Sequence, residues 1–406
     1  PMQRQVQPCP NVQNENSRTK EKRAIAGNAF KIEFACYADK QLCQKAGRAF
    51  ERAGVIISDA FIFKTQIVVN ATIVPFCAAL RECQKDHIVT LGGSYPARTM
   101  AMARDDGVAR LYPQALIKQL GYNPHPAYSY FDIISLFNAD APFWFEEDGP
   151  IGDYQSDFLF VILHEFMHGL GFYSNWNNNL KEYNDALVPD VSLLLENERF
   201  LGINKTSKQI TVTSFLESAM DEFIVSLPDM KRTSAITHKM NRLKANHGQS
   251  YYDAFHHAGL VKEAKEMYRL GTTRGALGFQ APNDTSVAFV LESNLDPFQP
   301  GSSISHVDYE EYGKSPDFLM RFMQDRGVTL QYAMERSQSS SAIGPRLRSV
   351  MKALGYHMND YPSLAPLIPS RLNTTKSSAR KTATLLLSHL MYPICTAIYI
   401  GSSYVW

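Results

Sequence analysis

The sequence lacks an excess of charge of either sign. Its 406 residues include 41 basic and 40 acidic side chains, so the formal net charge at pH 7 is only +1. The chain also has no basic stripe with interleaved aromatic residues and no glycine-rich phosphate loop. Because nucleic-acid binding depends on such features, we predict no nucleic-acid partner.

Long apolar runs are scarce, and only the C-terminal end carries one, over residues 385–400. This run contains Pro393 and is shorter than the roughly 20 residues that a membrane-spanning helix needs. A Pro/Ser/Thr-rich spacer at 366–379 precedes it, and the pair resembles a GPI-attachment signal with Asn373 or Ser377 as the attachment point. We therefore predict a secreted or cell-surface protein whose tail is removed or inserted into a membrane. The alternative is a terminal strand or helix docked on the core.

Cysteine is also rare, with six in the chain and no C-x-x-C pair. Four of them lie close together in the sequence: Cys36, Cys43, Cys77 and Cys83. Cys9 and Cys395 fall in terminal segments that processing could remove. The four central cysteines predict two disulfides in one of three connectivities, with free buried thiols as the alternative. A zinc site built from them is disfavoured by their spacing.

Four N-x-Ser/Thr triplets predict glycosylation of a secreted chain, and they begin at Asn70, Asn204, Asn283 and Asn373. Asn70 lies inside a predicted strand, whereas an acceptor normally lies in an exposed loop. Use of that site is therefore disfavoured.

Clusters of β-forming residues predict strands at 30–37, 67–74, 88–91 and 133–137. Apolar residues at helical spacing predict helices at 40–53, 112–120, 215–227, 238–244, 251–267 and 346–355. Strands followed by a strongly apolar helix are typical of an α+β fold in which a mixed sheet packs on that helix.

The strongest motif lies in that apolar helix. Residues 158–163 are continuously apolar, and the next five residues form an H-E-x-x-H pattern with His164, Glu165 and His168. Residues four apart share one face of a helix, so both imidazoles can bind one ion. Glu165 lies beside that face and can accept a proton from zinc-bound water. The motif predicts a Zn²⁺-dependent peptidase, with a metal-free buried histidine pair as the alternative.

A third zinc ligand is needed, and its position is less obvious. Gly169 and Gly171 end the helix. In the metzincin pattern H-E-x-x-H-x-x-G-x-x-H the third histidine would fall at Ser174, and serine is a poor zinc ligand. His306, in the sequence Ser-Ile-Ser-His-Val-Asp, is the best remaining candidate.

Other side chains compete with His306 for this role. Some zinc peptidases take an acidic third ligand from a second helix downstream of the motif. The acidic residues in or near that part of the sequence are Asp185, Asp190, Glu196 and Glu198. Further histidines of the same region are His238, His247, His256 and His257. A solvated surface position is the simpler interpretation of each.

Several segments together resemble the leishmanolysin-like branch of the metzincins and its bacterial and fungal relatives. The similarity rests on the H-E-x-x-H helix, on the segment around His306 and on 317–320, which resembles the Met-turn beneath the metal. Weaker similarity extends over 112–116, 132–138, 143–145, 343–345 and 351–356. In that branch too, an inserted segment displaces the third histidine downstream.

The resemblance implies a zinc endopeptidase with a zincin fold and a mostly helical lower subdomain. His164, His168 and His306 would hold the metal, and Glu165 would act as general base and acid on protein or peptide substrates. A catalytically inactive, protease-like surface protein used for adhesion is the competing hypothesis.

The same considerations divide the chain into five segments. Residues 1–28 form a flexible leader or pro-segment, and 29–174 form the N-terminal catalytic subdomain. Residues 175–281 form a helical insertion. Residues 282–364 form the C-terminal catalytic subdomain with the third histidine, and 365–406 form the linker and apolar tail.

Overall fold

The structure, a computed structural model, describes residues 27–83, 89–103, 109–121, 125–179, 183–195, 210–243, 255–281, 286–359, 370–371 and 396–400. Helices and strands alternate along these residues, which confirms the predicted α+β class. The leader, most of the tail and the residues Cys9, Cys395, Glu196, Glu198 and His247 lie outside the described residues.

The strands are β1 (Phe30–Cys36), β2 (Ile67–Val74), β3 (Val89–Pro96), β4 (Thr99–Ala103), β5 (Ala109–Pro113), β6 (Ile133–Asn138), β7 (Phe143–Trp144), β8 (Ser156–Asp157), β9 (Asp190–Leu195), β10 (Ile210–Ser218), β11 (Ile224–Ser226), β12 (Leu277–Phe279), β13 (Phe289–Val290), β14 (Ser370–Arg371) and β15 (Thr396–Ile400). The helices are α1 (Lys40–Ala60), α2 (Phe76–Leu80), α3 (Gln114–Ile117), α4 (Phe158–Leu170), α5 (Ser234–Met240), α6 (Val261–Gly271), α7 (Leu330–Arg336) and α8 (Pro345–Leu354). Short 3₁₀ helices span Glu146–Asp148, Asp221–Phe223 and Phe318–Met320.

The main sheet has the strand order β1-β2-β6-β3-β15. Strands β1, β2 and β6 are parallel, whereas β3 runs antiparallel to β6 and β15 antiparallel to β3. In β2, Ile67, Val69, Ala71 and Ile73 are fully buried on one face, which is the period-two pattern of a strand with a core side. The predicted mixed sheet is therefore present.

Helix α4 lies in the middle of the fold and packs against β3, β6 and α1. All of its residues are buried except Leu159. Its first residue, Phe158, contacts Phe50 of α1 and Phe137 of β6, with ring centroids 5.6 and 5.2 Å apart. A Cβ at Gly169 would collide with the Ile133 side chain, so glycine permits the close approach of α4 to β6.

The predicted insertion is only partly helical. Residues 215–227, predicted as a helix, instead form the end of β10, a 3₁₀ helix and β11. Strand β10 pairs with β9 and, through Glu217 and Ser218, with β5 of the N-terminal part. Pairing with β9 and β5 fixes the conformation of this segment and overrides its helix-like spacing. The insertion also contributes Phe215, Met240 and Met267 to the common core.

Other boundaries also differ from the prediction. The predicted helix at 112–120 is reduced to α3, because Tyr112 and Pro113 belong to β5. Helix α1 runs seven residues beyond its predicted end at Ala53, and β3 continues to Pro96. The lower part contains α7 and α8, but the chain from Leu291 to Asp317 forms no regular element, so it is less helical than predicted.

The cysteines form two local disulfides, Cys36–Cys43 and Cys77–Cys83. This finding selects one of the three predicted connectivities. The first bond joins the end of β1 to the first turn of α1, and the second joins Cys77 in α2 to Cys83 just after that helix.

Only a short part of the predicted tail is described. Residues 396–400 form β15, which pairs with β3, and this agrees with the alternative of a docked strand for those five residues. Among the described residues, no helix is both long enough and apolar enough to span a bilayer. Of the glycosylation triplets, Asn70 lies in β2 between β1 and β6, whereas Asn204, Asn283 and Asn373 lie outside the described residues, as does Ser377.

Candidate metal centre

Helix α4 is fixed at its start by a buried carboxylate. Asp157 caps the helix by accepting from the Leu159 N–H at 2.9 Å, and its other oxygen accepts from the Leu330 N–H at 2.8 Å. Burial raises the pKa of Asp157, and these backbone donors oppose part of the rise. One side chain therefore joins the beginning of α4 to the beginning of α7.

Three histidines meet at the other end of α4. The Nε2 atom of His168 lies 2.9 Å from that of His164 and 3.2 Å from that of His306, and the remaining pair is 3.1 Å apart. All three residues are at most 1% exposed. The structure thus brings together the three histidines that the sequence singled out.

The second ring nitrogen of each histidine faces a backbone carbonyl. Nδ1 lies 2.7 Å from the Leu319 oxygen in His164, 2.6 Å from the Phe172 oxygen in His168 and 2.9 Å from the Ser302 oxygen in His306. A carbonyl can only accept, so each Nδ1 carries the proton and donates it. A neutral imidazole with its proton on Nδ1 has a bare lone pair on Nε2.

Electrostatics favours these neutral rings. Burial lowers the pKa of His164 and His168 well below the ordinary value, and burial lowers that of His306 to about 4. At neutral pH the three Nε2 atoms therefore direct lone pairs at one another, with no proton between them to form a hydrogen bond. Such an arrangement is repulsive unless a cation lies between the rings.

The donor set fits Zn²⁺. Tetrahedral zinc with bonds of about 2.0–2.1 Å to imidazole nitrogen keeps its ligand atoms roughly 3.3 Å apart, and the three Nε2 separations here are 2.9–3.2 Å. Each ring also has the outer Nδ1–H bond that fixes the orientation of a metal-binding histidine.

His306 is held by a segment without regular secondary structure. Its carbonyl accepts from the Glu292 N–H at 2.8 Å, and the Ile304 N–H donates to the Glu292 carbonyl at 2.7 Å. The next residue, Val307, donates to the Met320 carbonyl at 3.0 Å. The segment therefore lies between residue 292 and the 3₁₀ helix at 318–320, whose Leu319 carbonyl orients His164.

Glu165 is fully buried next to the first histidine. Among the described residues, neither carboxylate oxygen has a partner in good hydrogen-bond geometry, although the Ser94 N–H of β3 favours the ionised form of the carboxyl group. Burial raises the pKa of Glu165 well above its ordinary value, and the Ser94 N–H opposes part of that rise. A carboxyl group with a raised pKa and unused oxygens is suited to proton transfer.

The residue at the metzincin third-ligand position bonds to the segment that carries His306. Ser174 is buried, and its N–H donates to Ser305 Oγ at 3.1 Å. The segment that follows α4 therefore contacts the residue immediately before His306. Sequence spacing did not predict this contact.

Among the rival ligands whose side chains the structure describes, none joins the three histidines. His238, His256 and His257 are exposed, and Asp185 forms an exposed ion pair with Lys265 at 2.7 Å. Strand β9 begins at Asp190. Among the residues that the structure describes, the only group of metal-binding side chains that meets is His164, His168 and His306.

Sequence reasoning missed the backbone atoms of the centre. The carbonyls of Phe172, Ser302 and Leu319 and the Ser94 N–H have no signature in the residue types. A cavity of about 930 Å³ lies between α1, the turn at 146–148 and α7, but neither the histidines nor Glu165 line it.

Comparison with known sequences places the chain in a family. It belongs to the SPBPB7E8-like family, whose model matches residues 2–379. It is 30% identical over 377 residues to a protein of Schizosaccharomyces pombe named "Uncharacterized protein PB7E8.01", covering 82% of this chain and 63% of that protein. The chain thus spans less than two thirds of that curated relative. No solved structure gives a significant match.

Proposed function

We propose that the chain is a zinc-dependent endopeptidase of the metzincin type, similar to the leishmanolysin-like branch. The observation that carries the proposal is the convergence of three neutral Nε2 lone pairs beside a buried glutamate. Two of the ligands and the glutamate share α4, and the third comes from a distant segment.

The surrounding architecture supports the zincin part of the proposal. The helix that carries the motif packs against a mixed sheet, in which β3 runs antiparallel to β6. The 3₁₀ helix at Phe318–Met320 lies under the histidines, with Met320 buried and the Leu319 carbonyl bonded to His164. We propose that this turn is the Met-turn that the sequence predicted at 317–320.

In this mechanism His164, His168 and His306 hold the metal as neutral ligands, and the three carbonyls at Nδ1 fix the ring orientations. Bound Zn²⁺ would supply Lewis acidity, lowering the pKa of a water molecule and polarising the scissile carbonyl. Glu165 accepts a proton from the attacking water and afterwards donates it to the leaving amine. Its burial keeps competing water away from the carboxylate.

Localisation and partners follow from the same proposal. Two disulfides are typical of oxidising compartments, so we propose a secreted or cell-surface protein. The proposed substrates are proteins or peptides. Attachment to a membrane through the C-terminal tail remains part of the proposal.

Substitution of the general base tests the activity directly. Glu165→Gln keeps the size of the side chain but cannot accept the proton, so hydrolysis of denatured casein should fall by about 10²- to 10⁴-fold. Zinc content, measured by atomic absorption, should stay at the wild-type level. A fully active Glu165→Gln protein would contradict the mechanism.

Burial favours one competing function, a catalytically inactive protease-like protein used for adhesion. The three histidines and Glu165 are at most 1% exposed, and closed sites are typical of structural zinc. A structural site needs no general base, however, and a buried carboxyl group is costly. Casein cleavage that a chelator abolishes would support the enzyme, whereas stoichiometric zinc without any cleavage would support the structural role.

A further inference from the structure

The segment that leaves α4, residues 172–175, is buried and hydrogen-bonded to other parts of the chain. The Tyr173 carbonyl accepts from Ser218 Oγ at 2.8 Å, and the Ser174 N–H donates to Ser305 Oγ at 3.1 Å. The Asn175 N–H donates to Asp221 Oδ2 at 2.9 Å. Three consecutive residues are therefore tied to other parts of the chain.

This segment bonds to one histidine of the centre and to the residue that precedes another. Its first residue, Phe172, supplies the carbonyl that accepts from His168 Nδ1. Two residues later, Ser174 bonds to Ser305, the neighbour of His306 in sequence. A shift of the segment by a fraction of an ångström would therefore change the orientation of His168 and the position of His306 together.

Several of the hydrogen-bond partners of this segment lie in the insertion and also bond to one another. Asp221 Oδ2 also accepts from the Ser218 N–H at 2.7 Å, and the Asp221 N–H donates to Ser218 Oγ at 3.2 Å. Asn175 adds a bond from its side chain to the Leu216 carbonyl at 3.2 Å. Ser218 and Asp221 thus form a closed corner, which we call the 218–221 corner, and it binds the segment on both sides of Ser174.

Burying a carboxyl group at the 218–221 corner costs free energy. Asp221 is fully buried, and burial together with the nearby charge of Glu217 raises its pKa to about 7. Glu217 is itself paired with Arg110 at 3.0 Å, so that cation is engaged by the neighbour. The carboxyl group accepts both the Asn175 N–H and the Ser218 N–H, which a purely apolar contact could not do.

We propose that Asp221 is a positioning residue for the metal centre: through Asn175 and Ser174 it fixes the Phe172 carbonyl at His168 and the Ser305 hydroxyl beside His306. The insertion is then a built part of the centre rather than an accessory cover. This inference rests on the proposed zinc site.

The test measures metal binding rather than catalysis. Zinc affinity is determined by competition with a chelator, and the coordination geometry is read from the visible absorption spectrum of the protein loaded with Co²⁺. Asp221→Ala should weaken zinc binding by about 10- to 100-fold, as loss of an outer hydrogen bond typically does. It should also change the Co²⁺ spectrum.

Two variants serve as controls. Asp221→Asn keeps an oxygen that can accept both N–H bonds, so its Co²⁺ spectrum should resemble that of the wild type. Asp229→Ala removes an exposed carboxylate of the same insertion, which pairs with the exposed Lys231 at 2.7 Å, and should change neither measurement.

The outcomes separate the two proposals. Wild-type zinc affinity and an unchanged Co²⁺ spectrum in Asp221→Ala would overturn the positioning role and leave the zinc site intact. Wild-type protein that binds neither ion would overturn the zinc site and this inference with it. If Asp221→Ala does not fold, Ser305→Ala decides, because it removes only the acceptor of the Ser174 N–H and should also alter the spectrum.

Discussion

Two regions of the molecule hold the candidate metal centre by different means. Helix α4 supplies His164 and His168 through its own repeat, since residues four apart share a face. The segment around His306 has no regular structure, and its histidine is 138 residues from His168 in sequence. One region is organised locally, and the other depends on contacts with the rest of the fold.

The forces in the two regions differ as well. Helix α4 is placed mainly by apolar packing, with Phe158 and Gly169 in close contact with neighbouring elements. The His306 segment is placed mainly by backbone hydrogen bonds, and it includes Ile304 at φ +66°. A β-branched residue in this region costs about 1–3 kcal/mol, which the buried Ile304 side chain and its N–H bond at 2.7 Å help to offset.

The largest expected effect comes from removing the distant ligand. His306→Ala leaves two histidines on α4, and two ligands bind zinc much more weakly than three, so zinc content should fall from one per chain to nearly none after dialysis. Atomic absorption on purified protein measures this.

His238→Ala is the matched control, because His238 is an exposed histidine of the insertion. It should retain full zinc content. Equal zinc in the two variants would show that the His306 segment does not contribute a ligand, and the comparison of the two regions would fail.

A smaller effect should follow from crowding α4. Gly169→Ala adds a methyl group that collides with Ile133, so the free energy of unfolding should fall by about 1–3 kcal/mol. Both histidines remain on one helix, and zinc content should stay unchanged. Denaturant unfolding of the metal-free protein measures the stability.

Gly47→Ala provides the contrast within another helix. A Cβ at Gly47 in α1 meets nothing within 4 Å, so alanine should stabilise the protein by about 0.5–1 kcal/mol. If both glycine variants changed stability in the same direction, packing would not be what positions α4.

A further effect concerns the pH dependence of the region around Asp221. Its pKa of about 7 in the folded protein lies above the ordinary 3.8, so the folded state binds more protons between these values. Stability due to this group is complete below about pH 4 and is lost as pH rises towards 7. Metal-free Asp221→Asn should therefore lose less unfolding free energy than wild type between pH 5 and 8, by roughly 1–3 kcal/mol. If the unfolding free energies of the two proteins changed with pH in the same way, the raised pKa of Asp221 would be contradicted.

Prediction from sequence succeeded where the signal was local. The strands at 67–74 and 133–137 and the helices beginning at Lys40 and near Arg346 follow from side-chain periodicity and agree with the structure. It was wrong at 215–227, because β10 takes its conformation from pairing with β5 and β9 rather than from its own spacing. Contacts across the chain are not encoded in the period of a short segment.

The sequence by itself determined the local part of the candidate metal centre: an apolar helix that presents His164 and His168 on one face with Glu165 beside them. Helical geometry makes that arrangement a property of eleven or so neighbouring residues. Only the tertiary structure decided which of the other histidines joins them. His306 reaches the site because backbone bonds to residue 292 and to the 318–320 turn fix its segment, and such bonds involve groups that every residue possesses.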